Sequence, residues 1–110
     1  DARLDAAKAR AEIALADYEQ VLRTVTLDVE NALSAIQASV ARQTALNKAV
    51  VSSKRSFEQA DALYQLGLVS FLDVVDAQRV YANAEQALAT EQTSYATLVA
   101  SLFRALGVQA

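Results

Sequence analysis

The sequence has 110 residues, 54% of them hydrophobic, with ten lysines and arginines against thirteen aspartates and glutamates and a formal charge of −3. That length permits one domain, and the alanine-rich composition suits close-packed helices better than a core of large side chains. The absence of cysteine and proline, with only two glycines, excludes a disulfide framework, a thiolate metal site and frequent turns.

The charges are scattered, with no basic block that could release phosphate counterions, which argues against a nucleic-acid partner. No run approaches the roughly 18 consecutive apolar residues of a membrane-spanning helix, and no charged segment leads into an apolar run as in a signal peptide. The opening DARLDAAKAR reads as the middle of something helical, so the chain is expected to be a segment of a longer one.

From the N-terminus onward, one register of alternating steps of four and three links Leu4, Lys8, Ala11, Leu15, Tyr18, Leu22, Val25, Val29, Ala32, Ile36, Ser39, Gln43, Leu46, Val50, Ser53, Phe57, Ala60 and Tyr64. This is a heptad seam, broken by polar residues only at Lys8, Ser39, Gln43 and Ser53. It predicts one helix from Ala2 to about Leu66. A second line through Leu33, Val40 and Ala49 or Val51 widens the apolar face, so the helix is expected to touch neighbours on both flanks.

The stop and start signals then come almost together. Gly67 is placed to take the left-handed conformation that closes a helix, with Leu68 reaching back to Leu63 in a Schellman motif. Ser70 is a preferred N-cap, and Asp73 can return to its backbone N–H as a short capping box. Val69 and Val74 sit at the positions of a hydrophobic staple. These signals predict a hairpin tip.

Beyond the tip the seam resumes through Val74, Ala77, Tyr81, Ala84, Leu88, Glu91, Tyr95, Leu98, Leu102 and Ala105, with Glu91 its one charged member. Phe71, Leu72, Val75, Val99 and Phe103 add apolar surface beside it. Gly107 is a second glycine placed to end a helix, so the second helix runs from Ser70 to about Leu106. No stretch shows the alternation of a strand. The fold class is therefore all-α, a long antiparallel coiled-coil hairpin.

The two arms are unequal. At about 1.5 Å per residue the first is on the order of 95 Å long and the second about 55 Å. The second can pair only with the part of the first after about Val29, leaving some 25 residues without an intrachain partner. A lone hairpin of this shape buries too little to be stable, so other helices are expected beside it.

The run YQLGLVSFLDVVDAQR, residues 64–79, resembles the signature at the periplasmic tip of the outer-membrane efflux factor family, the TolC-like channels. ALADYEQVL at 14–22, DVENAL at 28–33 and LFRALG at 102–107 resemble it too, so the likeness spans nearly the whole chain. The resemblance implies a homotrimer whose protomers hold two structural repeats, with strands forming an outer-membrane barrel and helices a periplasmic tunnel. This chain would be most of the helical part of the second repeat, with the barrel strands upstream, residues 1–110 forming one hairpin of a trimeric α-helical tunnel. The implied location is the cell outer membrane, with this segment in the periplasm.

Carried over by position, Tyr64, Asp73 and Asp76 match residues that line or latch the constricted periplasmic entrance. Leu66, Gly67, Leu68, Val69 and Ser70 match the tip that meets a periplasmic adaptor protein, itself paired with an inner-membrane transporter. Where some members have a gate arginine two residues after the glycine, this chain has Val69, which disfavours an arginine-based latch. The run LDVVDAQR at 72–79 looks most like the branch that exports drugs and other small toxic compounds.

Asp73 also has a purely structural use as a capping residue, whereas Asp76 lies beyond the first turn. Nothing supports catalysis: there is no histidine or cysteine, and no Glu-x-x-His pair of a helical di-iron site. The expectation is a passive conduit, not an enzyme, with no cofactor and no metal. The alternative from another class is a free-standing coiled-coil scaffold or adaptor that binds partner helices along the seam and conducts nothing.

Overall fold

The computed structural model describes residues 1–107 as two helices, α1 (Ala2–Gln65) and α2 (Phe71–Ala105), folded back on each other. Leu66, Ser70 and Leu106 are the caps of these helices, so the boundaries expected from the sequence agree to within a residue. The long arm grows from an almost unbroken run of helix formers, with no proline or glycine before Gly67.

The molecule is a rod of 98 × 21 × 16 Å with a radius of gyration of 26.6 Å. A compact chain of this length would have a radius of roughly 13 Å. Its accessible surface, 8298 Å², exceeds the roughly 5,900 Å² of a compact monomer of this mass. The excess lies along helix edges that the hairpin does not cover.

Pairing follows the seam. On α1, Val29, Ala32, Ile36, Gln43, Leu46, Val50, Phe57 and Ala60 are half-buried and Ser39 and Ser53 buried. On α2 every seam residue from Val74 to Ala105 is at least half-buried. Three contacts mark the antiparallel register from the tip upward. Tyr64 packs on Phe71 with centroids 5.4 Å apart, Phe57 stacks on Tyr81 at 6.1 Å, and Arg42 bonds Glu91 at 2.9 Å.

Two of the polar seam positions prove to be the buried residues of α1. Ser39 is fully buried, and the Ser53 hydroxyl donates to the Ala49 carbonyl oxygen at 2.7 Å. A small residue at each position lets the helix backbones approach, and the Ser53 hydroxyl finds its acceptor within its own helix.

Before Val29 every residue of α1 is exposed, including Leu4, Leu15, Tyr18, Leu22 and Val25 of the same seam. The overhang is therefore continuous in chemistry with the paired part and lacks only a partner. Even in the paired part, Val74 is the single buried hydrophobic among the described residues, at 6% exposure. Two helices alone do not enclose a core.

Candidate functional site

The tip is built by local hydrogen bonding. Gly67 sits at φ +74°, its N–H donates to the Tyr64 carbonyl oxygen at 2.9 Å, and the Leu68 N–H donates to the Leu63 carbonyl oxygen at 2.9 Å. This is the full Schellman pair, and it satisfies carbonyls that the helix end leaves free. Gly107, at φ +75°, closes α2 similarly, its N–H donating to the Arg104 carbonyl oxygen at 3.0 Å.

On the other side of the turn, Ser70 and Asp73 form the expected capping box. The Ser70 N–H donates to Asp73 Oδ2 at 3.2 Å, and the Ser70 hydroxyl lies 3.3 Å from the same oxygen. The Asp73 N–H is taken by the Ser70 carbonyl oxygen at 3.1 Å. Val69 is half-buried, and Val74 is the most enclosed apolar side chain, as a staple requires.

With its backbone satisfied, the tip leaves its side chains free. Leu66 is 72% and Leu68 68% exposed, and Phe71 and Leu72 are exposed beside them. Leu66 and Leu68 on the turn and Phe71 and Leu72 at the start of α2 together form an exposed apolar patch.

The three residues matched to the entrance occupy different settings. Tyr64 leaves the seam it was expected to continue: it is 39% exposed, with its ring tilted against Phe71. Asp73 is exposed, but its carboxylate is committed to the cap. Asp76 is exposed and makes no side-chain hydrogen bond or ion pair among the described residues. It shares a helix face with Asp73, three residues away. The structure thus brings Tyr64 and the start of α2 together and leaves Asp76 the freer of the two carboxylates.

A second polar cluster, farther up the rod, escaped the sequence reading. Arg42, just off the α1 seam, reaches across so that its Nε donates to Glu91 Oε1 at 2.9 Å. The Glu91 side chain is 14% exposed and that of Arg42 56%. The Glu91 carboxyl is held below its ordinary range, first by hydrogen bonding from the Ser39 hydroxyl and then by Arg42, against the opposing effect of desolvation. Glu91 was visible as the lone charge in its seam; its partner follows only once the antiparallel register is known.

Among the described residues no group of acids is arranged to hold a metal ion, and no helix is long and apolar enough to cross a membrane. Open grooves run along the unpaired overhang, one of them lined by Glu19, Leu22, Arg23, Thr26, Leu27 and Glu30. They are the hollows between side chains on a bare helix, not enclosed ligand pockets.

Comparison with known proteins adds the context this geometry lacks. The sequence profile of the outer membrane efflux protein family matches residues 1–108. The chain is similar to the probable efflux pump outer membrane protein TtgC of Pseudomonas putida, 31% identical over 106 residues. It is also similar to the cation efflux system protein CusC of Escherichia coli, 32% identical over 106 residues. Both alignments take in 96% of this chain, but it spans only 22% and 23% of those relatives. Among solved structures, a chain of the outer-membrane channel OprN superposes with a TM-score of 0.74 at 32% identity, covering 98% of this chain and 24% of that one.

Proposed function

The chain belongs to the outer membrane efflux protein family, and on that premise we propose that residues 1–110 are one hairpin of the periplasmic tunnel of a tripartite efflux channel. In this reading the barrel strands lie elsewhere in a longer protein of the outer membrane. Three protomers close the tunnel, and a periplasmic adaptor and an inner-membrane transporter supply the drive. The chain conducts; it does not catalyse.

The observation that carries this reading is the seam that outruns its partner. Residues 4–25 repeat the spacing of the paired section and stand exposed, so they need helices from beyond the hairpin. A ring of hairpins supplies them, and a solitary scaffold hairpin does not.

The tip supports both an entrance and a docking point. Leu66, Gly67, Leu68, Val69 and Ser70 form the end of the rod, and its exposed leucines give an adaptor protein an apolar seat. Asp73 and Asp76, repeated by threefold symmetry, make rings of carboxylate that draw cations and repel anions at a narrow opening. Of these, Asp76 has the greater effect, because Asp73 is bonded into its cap. Tyr64, braced by Phe71, narrows the passage with a rigid ring, in keeping with Val69 standing where an arginine latch would be.

The relatives' names cover antibiotics, toluene and cations. Drugs and other small toxic compounds are the cargo proposed here, on the likeness of residues 72–79 to that branch.

The test is single-channel recording on the full-length protein carrying Asp76→Asn, alone and with Asp73→Asn. Cation selectivity and block by divalent ions are expected to fall, mostly with the first substitution. Unchanged selectivity and block in the double variant would remove the carboxylate rings from the entrance.

A further inference from the structure

Between Glu30 and Glu58, α1 carries four cations, Arg42, Lys48, Lys54 and Arg55, and no acid. Arg42 is neutralised by Glu91 within the hairpin. Lys48, Lys54 and Arg55 have no ion-pair partner among the described residues.

Their positions follow from the heptad. With Gln43, Leu46, Val50, Ser53 and Phe57 facing α2, Lys48 and Arg55 point directly away from it, a heptad apart. Lys54 and Val51 lie between that line and the seam on one flank, which continues upward through Val40 and Leu33. Leu33, Val40 and Val51 are all exposed. The result is one continuous face, apolar above and cationic around Val51 below, running about 33 Å from Leu33 to Arg55. A face meant only for water has no need of three large aliphatic side chains in line, and α2 cannot cover it because α2 lies on the other side.

The partner's chemistry is readable from the hairpin itself. The part of α2 level with this face, about residues 82–100 by the register of Phe57 on Tyr81 and Arg42 on Glu91, carries Glu85 and Glu91 and no cation. This stretch of the rod is thus polarised across its width, with α1 positive and α2 negative. Hairpins of this polarity set side by side are complementary when the α1 edge of one meets an acidic edge of the next, and repulsive when like edges meet.

We propose that the Leu33–Arg55 face of α1 is the docking edge for an acidic amphipathic helix of the neighbouring hairpin in the tunnel wall. That helix lays apolar residues on Leu33, Val40 and Val51 and carboxylates on Lys48, Lys54 and Arg55. Charge, in addition to shape, then dictates which helix may stand next to α1. This inference rests on the tunnel-wall reading above and adds the identity of the contact.

The experiment is carbodiimide coupling of the intact, purified full-length oligomer, followed by mass spectrometry of the joined peptides, with bilayer conductance measured on the same preparation. Lys48 and Lys54 are expected to couple to carboxylates of another hairpin of the oligomer, and both are expected to resist acetylation until the oligomer is dissociated. Charge reversal by K48E/K54E/R55E is expected to lose most of the oligomer, with the neutral K48Q/K54Q/R55Q variant losing less. Coupling confined to Glu58, Glu85 or Glu91 of the same hairpin, or lysines fully open to acetylation in the oligomer, overturns the proposal. If that result comes from a conducting preparation, the docking edge is wrong and the channel reading survives. A preparation that fails to conduct counts against the channel reading, while the coupling pattern still decides the edge.

Discussion

Replacing Gly67 with alanine isolates the conformational cost of the tip. The residue sits at φ +74°, and a Cβ placed there would meet no atom within 4 Å, so neither clash nor packing enters. What remains is the penalty of the left-handed region for a residue with a side chain, about 1–2 kcal/mol. It is partly offset by the lower entropy of an unfolded alanine, about 0.4–1 kcal/mol. The net, about 1 kcal/mol, raises the open population of the turn about fivefold.

Hydrogen exchange in the full-length oligomer reads this directly, because the Gly67 and Leu68 amides are the donors of the two bonds that close α1. Exchange at residues 66–68 is expected to speed up about fivefold in Gly67→Ala, less in Gly67→Asn, and not at all around Val50–Phe57. Unaltered exchange at the tip, or an equal acceleration in the middle of α1, would refute the claim that a left-handed glycine independently closes this turn.

Asp73→Ala removes the carboxylate half of the capping box. It is expected to loosen the first turn of α2 by about 0.5–2 kcal/mol, seen as faster exchange at residues 71–74, whereas Asp76→Ala, which breaks no bond, leaves those amides unchanged. Glu91 makes stability depend on acid. Its native pKa lies below its ordinary value of 4.5, so its contribution is complete above that value and is lost as pH falls through the lowered one. Thermal unfolding of full-length protein between pH 7 and pH 3 is therefore expected to show a steeper acid loss in the parent than in Glu91→Gln, and superimposable profiles would contradict it.

Much of this architecture was legible because a coiled-coil hairpin is specified by short-range patterns. The four-and-three spacing from Val29 to Ala60 and from Val74 to Ala105 named the faces that are buried. Gly67, Ser70 and Asp73 named the turn, since each satisfies backbone groups within a few residues of itself. Contacts that join distant residues were harder. Tyr64 follows the seam in spacing, yet α2 begins only at Phe71, so its ring turns to the one aromatic within reach. Arg42 lies one position off the seam, and pairing it with Glu91 requires the register set by the turn. Ser39 and Ser53 read as interruptions because hydropathy ignores volume; where backbones approach, a small side chain whose hydroxyl has a nearby acceptor, the Ala49 carbonyl for Ser53 and the Glu91 carboxylate for Ser39, fits best.

In the proposed tunnel, α1 beyond its partner is covered by other helices of the assembly. Single cysteines at Leu15 and Leu22, in a chain with no cysteine of its own, measure that cover by their rate of maleimide labelling in the native oligomer. Both are exposed in the isolated hairpin. Both are expected to label slowly in the oligomer and quickly once it is dissociated; labelling as fast in the oligomer as in the dissociated chain would contradict such cover.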